Sequence, residues 1–130
     1  MFENCKNTKT QGDIGLAIAI AEFVKMGWTV CVPLTDNQAY DLVIDDGISL
    51  KKVQVKTTRG RNREGTRWVV QLKTCGGNMT GHHKIKRFDP TMVGYLFIVT
   101  NDDQKYLIPC SSLTIGASLT LGKKYEQFKL

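Results

Sequence analysis

The segment 40-YDLVIDDGISLKKVQVKTT-58 leaves this chain few ways to fold. Leu42 and Ile44 alternate with Val43, and Val53, Val55 and Thr57 alternate with Lys52, Gln54 and Lys56. A period of two is the signature of a strand, with successive side chains on opposite faces. Asp46-Gly47 between the runs predicts a tight turn, so 40–45 and 49–58 form an antiparallel hairpin. Two consequences follow. Gln54 and Lys56 share one face, and Asp41, at the start of the first run, meets the end of the second beside them.

A carboxylate, an amide and an ammonium converging at a sheet edge form a chemically loaded group. Asp41 is suited to hold a hard divalent cation, the Gln54 side-chain carbonyl to act as a neutral oxygen ligand, and the Val55 main-chain carbonyl to add a third. Lys56 is placed to orient or deprotonate a water, or to balance growing negative charge. Taken singly, each is ordinary: Asp41 as a solvated carboxylate beside a turn, Lys56 as a surface lysine. Only the constellation carries the functional reading.

The rest of the chain builds one α/β domain over residues 1–130, enough for an apolar core. Residues 12-GDIGLAIAIAEFVKMG-27 predict a helix: alanine, glutamate, lysine and methionine favour it, and Gly27 ends it. The runs 28-WTVCVP-33, 40–45 and 49–58 then make a three-strand meander. A basic loop, 59-RGRNREGTR-67, leads into a strand at 68–74, and 75-CGGNMTGHHKIKRFDP-90 reads as loop. The nearly continuous apolar run 93–100 predicts a buried strand, and 104–109 another after the turn at 101–103. The segment 111–130 gives mixed signals.

Eighteen Lys+Arg against twelve Asp+Glu give a net charge of +6 and a pI near 9.2, which suits a polyanionic partner. No apolar run reaches the roughly 18 residues of a membrane helix, and no secretion signal is evident, so an intracellular, cytoplasmic or nucleoid protein without a membrane partner is expected. Cys5, Cys31, Cys75 and Cys110 are scattered without metal-ligand spacing and are expected to be reduced thiols. His82-His83 lacks the partners of a zinc site. No phosphate-binding glycine loop marks a nucleotide cofactor.

With Asp41, twelve intervening residues and then Gln54-Val55-Lys56, the chain resembles the PD-(D/E)xK nucleases in the variant with Gln for the second acid. The text from "KTQGDIGLAIAIAEFVKMGWTVCVPLTDNQAYDLVIDDG" to "KKVQVKTT", with "GYLFIVTNDDQKYLIP" and "LTLGKKYEQFKL", is most similar to the group I intron-associated homing endonucleases and more distantly to archaeal Holliday-junction resolvases. The resemblance implies a restriction-endonuclease-like αβββαβ core with a central mixed sheet flanked by helices. It further implies Mg²⁺-dependent (or Mn²⁺-dependent) hydrolysis of double-stranded DNA, and a homodimer or homotetramer. Asp41 and Gln54 would be its metal-side residues and Lys56 its lysine.

The pattern departs from the family in one place. Many relatives carry a glutamate eleven residues before the glycine that ends the first helix, and here that position is Leu16. Asp13, about 60° from Leu16 around the helix, is the better substitute, though an acid there also complements the helix dipole. Glu22 lies about 180° from Asp13 and three residues from Lys25, as in a solvated ion pair. Losing charge at Gln54 should weaken cation binding.

For holding DNA, the candidates are Arg59, Arg61, Arg63 and Arg67 at the catalytic end of the sheet, and the cluster His82, His83, Lys84, Lys86 and Arg87. Glycines in both loops suggest ordering on binding. Two other readings stay open: a DNA-binding protein that keeps the fold without catalysis, and a junction-resolving or repair nuclease.

Overall fold

The hairpin of the 40–58 segment lies inside the main sheet, with further strands beside it and apolar layers on both faces. The structure, a computed structural model, describes residues 1–76, 84–86, 88–114 and 116–130. Helix α1, Thr8–Lys25, starts one turn earlier than its apolar pattern indicates. The Asn7 side chain accepts a hydrogen bond from the Thr10 N–H at 2.8 Å, so a polar cap rather than periodicity sets the start. At the other end, Gly27 adopts φ +79°, and the Gly27 and Trp28 N–H groups donate to the carbonyls of Val24 and Phe23. That left-handed glycine closes the helix as expected.

Strands β1 (Thr29–Cys31), β2 (Leu42–Asp45) and β3 (Leu50–Thr58) form the meander. The turn between β2 and β3 is held by aspartates. Asp45 Oδ1 accepts from the Gly47 N–H, and Asp46 Oδ1 accepts from the Ile48 and Ser49 N–H groups, each at 2.9 Å. The resulting register pairs Leu42 with Val53 and Asp45 with Leu50. Asp41 therefore comes to lie opposite Gln54.

After β3 the chain makes β4 (Val69–Gln71), β5 (Thr74–Gly76) and β6 (Lys84–Lys86), then β7 (Tyr95–Thr100), β8 (Lys105–Pro109) and β9 (Ser118–Thr120). The main sheet runs β1-β2-β3-β7-β8, with β3 and β7 parallel and every other pair antiparallel, which makes it the mixed sheet expected. β4 pairs with β9, and β5 with β6. Two details differ from expectation. The 75–90 segment contains strand β6, and the 68–74 run divides between β4 and β5. A parallel pair needs a long crossover, and among the described residues the β3–β7 crossover carries short strands where the resemblance implies a second helix.

β7 explains the division of the core. Its alternate residues Phe97 and Val99 pack under α1 with Phe23, Leu42, Ile44 and Val53. Leu96 and Ile98 join the opposite layer, with Trp68, Val70, Ile108 and Tyr125. Both faces of the strand are buried, hence its continuous apolar run. Among the described residues, no helix is long and apolar enough to cross a membrane.

Candidate active site

β3 outlasts β2 by several residues, and the site forms where β2 has not yet begun. The side chains of Val53 and Val55 point toward the α1 layer. By alternation, Gln54 and Lys56 point to the other face. Asp41, one residue before β2, is locked against β3 by three hydrogen bonds. Its N–H donates to the Val53 carbonyl at 2.9 Å, and its Oδ2 accepts from Gln54 Nε2 at 2.6 Å and from the Val55 N–H at 2.7 Å. An N–H and C=O of one strand residue point the same way, so the Val55 carbonyl also faces this open edge.

Asp41, Gln54 and Lys56 line one cleft of about 380 Å³, walled on its apolar side by Leu72 and Phe88. All three are partly buried. Burial raises the Asp41 carboxyl above the usual carboxylate range, outweighing the Val55 N–H and the Lys56 charge, which pull it down; the Asp36 charge pushes it further up. Burial lowers Lys56 below an ordinary lysine, partly offset by the charge of Asp41. The two groups thus stand close enough to perturb one another in a poorly solvated place.

The donor set fits a hard divalent cation held weakly. Gln54 turns its nitrogen to Asp41, leaving its amide oxygen, the second Asp41 oxygen and the Val55 carbonyl as neighbouring oxygen donors. Among the described residues, no three or more His, Cys, Asp or Glu side chains cluster closely enough to hold a metal by themselves. Asp41 is the one carboxylate that Gln54 and Val55 hold at this edge.

The helix acids do not join this group. α1 covers the Val55 face of β3: a Cβ added at Gly15 would come within 2.3 Å of Thr57 Cγ2 and 3.5 Å of Val55 Cγ1. Asp13 is exposed on that helix and does not line the cleft. Leu16 packs into the apolar layer. Glu22 pairs with Lys25 at 2.6 Å and Lys105 at 3.6 Å. The spacing argument for Asp13 found its side of the helix but not the intervening sheet.

The arginine loop is more ordered than its composition implies. The Asn62 N–H donates to the Arg67 carbonyl, and Asn62 Oδ1 accepts from the Thr66 and Arg67 N–H groups. Arg61 stacks on Trp68 with its guanidinium 3.8 Å from the ring centroid. Arg59 reaches the Phe2 carbonyl at 3.4 Å, and Arg67 packs on Gly122, where an added Cβ would come within 3.1 Å of Nη1. Arg63 is exposed and makes no hydrogen bond or ion pair among the described residues. His82, His83 and Arg87 lie outside the described residues, and Lys84 and Lys86 are described only as backbone of β6.

Sequence reasoning missed Asp36, Leu72 and Phe88 in the cleft. Nothing marks a turn acid or a distant apolar residue as neighbours of a site before the loops are folded over it.

Residues 6–127 match the family described as PD-(D/E)XK endonuclease. Among solved structures, a bacterial homing endonuclease, I-Ssp6803I, matches at 28% identity with a TM-score of 0.76, covering 90% of this chain and 79% of that one. No curated protein matches. With the family pattern extending over nearly the whole chain and the fold shared with that enzyme, the chain belongs to the PD-(D/E)XK endonuclease family and is a nuclease.

Proposed function

We propose that the protein is a divalent-metal-dependent endonuclease that hydrolyses phosphodiester bonds in double-stranded DNA at specific sites, in the manner of a homing endonuclease, and that it acts as a homodimer or homotetramer. The observation that carries this is the clasp of Asp41 by Gln54 and Val55, with Lys56 in the same cleft. Similarity to a homing endonuclease and the net charge of +6 support the choice of substrate.

Asp41, Gln54 and the Val55 carbonyl would hold Mg²⁺ or Mn²⁺. When bound, the cation supplies positive charge where the transition state of phosphoryl transfer becomes negative. Lys56 works at the proton. Buried in the cleft that Leu72 and Phe88 also line, Lys56 gives up its own proton more readily than a surface lysine and can take one from the attacking water. The water oxygen bonds to phosphorus as the P–O bond in line with it breaks. Gln54 fixes the carboxylate through its amide nitrogen. Exposed Arg63 is the loop arginine best placed to meet backbone phosphate.

The deciding experiment is cleavage selection on random-sequence duplex with Mg²⁺ or Mn²⁺, followed by Lys56→Ala on the selected site. Loss of at least about 100-fold in rate is expected. A second reading, a DNA-binding protein without cleavage, draws on Leu16, which puts an apolar side chain at the family's acidic position. Binding to duplex with no cleavage in either metal would select it.

A further inference from the structure

The proposed site is short of negative charge, with Gln54 in place of an acid, Leu16 in the apolar layer and Asp13 away from the cleft. The cleft nevertheless contains two further carboxylates, Asp36 and Asp89. They differ in what they do. Asp89 Oδ1 accepts from the Thr91 N–H at 2.9 Å and the Thr91 hydroxyl at 2.6 Å, which ties it to its own turn. Asp36 belongs to the loop that delivers Asp41, five residues before it, and is exposed.

We propose that Asp36 is the second carboxylate of this cation site, acting on the metal directly or through one of its waters and replacing the charge missing at position 54. The proposal rests on the reading of the Asp41 cleft given above. Two like charges facing one cleft repel when nothing lies between them, and Asp36 and Asp41 line the same cleft. A divalent cation turns that repulsion into shared attraction, and affinity in oxygen-ligand sites follows the number of charged ligands.

The test measures Mn²⁺ uptake by the metal-free protein, without DNA, from loss of the free-ion electron paramagnetic resonance signal. Asp36→Asn should weaken binding by about tenfold or more, and Asp36→Glu should restore part of it. Asp89→Asn should bind as the wild type does. In cleavage, the Mn²⁺ concentration for half-maximal rate should rise with Asp36→Asn in step with the binding change. If Asp41→Asn abolishes uptake while Asp36→Asn leaves it unchanged, the role of Asp36 is overturned and the site reading stands. If Asp41→Asn leaves uptake intact, or the wild type takes up none at about 10 mM Mn²⁺, the site reading falls and this proposal with it.

Discussion

Asp41 and Lys56 both sit where burial opposes their charges, so each should cost the fold some stability at neutral pH. The folded state holds the Asp41 proton above the ordinary carboxyl value of 3.8, so over that window it binds more protons than the unfolded chain. Stability then falls as pH rises through the window. Asp41→Asn keeps an oxygen to accept from Gln54 and Val55 and removes the charge. It should melt no lower than the wild type at pH 7, lose the decline in melting temperature that the wild type shows as pH rises through this window, and abolish cleavage. Lys56 has the opposite sign of shift with the same origin. Its folded form releases a proton below 10.5, so its contribution improves as pH rises toward the ordinary lysine value. Lys56→Met should therefore match or exceed the wild-type melting temperature at pH 7 while cleavage falls at least about 100-fold. A large loss of melting temperature in either variant would mean these residues mainly support the fold.

At the scale of elements, α1 meets β3 at Gly15, where there is no space for a side chain. Alanine normally helps a helix interior by about 0.5–1 kcal/mol over glycine. Here its methyl would lie 2.3 Å from Thr57 Cγ2, so overpacking of about 1–3 kcal/mol should prevail. Gly15→Ala should be less stable than the wild type in urea titration. It should also disturb the nearby hydrogen bond from Gln11 Nε2 to Thr57 Oγ1. The arginine loop separates two kinds of arginine. Arg61→Ala removes the stack on Trp68, worth about 0.5–2 kcal/mol, and should lower the melting temperature. Arg63→Ala should leave it unchanged, weaken duplex binding across sequences, and reduce the slope of log affinity against log salt by about one. Alanine at both positions together would mix these effects, so the single variants are the informative ones.

The whole molecule is a five-stranded mixed sheet between a helix and a second apolar layer, and the candidate site occupies the edge where β3 runs on past the start of β2. Much of this was legible in the chain. The two alternating runs around Asp46-Gly47 dictate the hairpin and its register, because a slip of one residue would turn Val53 outward and Lys52 inward. That register alone brings Asp41 to Gln54, and the meeting is local, within one turn of chain. Gly27 ends α1 for an equally local reason, its left-handed φ. Other features depend on contacts between distant segments. Helical spacing places Asp13 one turn from Leu16, but the packing of α1 on the Val55 face, through the notch at Gly15, decides that neither reaches the cleft. Arg61 looks like its loop neighbours until Trp68 folds beneath it. Leu72, Phe88 and Asp36 acquire a relation to Lys56 only when the crossover and the β1–β2 loop close over the sheet. Periodicity and turn chemistry act between residues a few positions apart, and so determine elements and register. Which face of the sheet each element covers, and so which charges lose their water, is settled by packing among surfaces that meet only in the folded molecule.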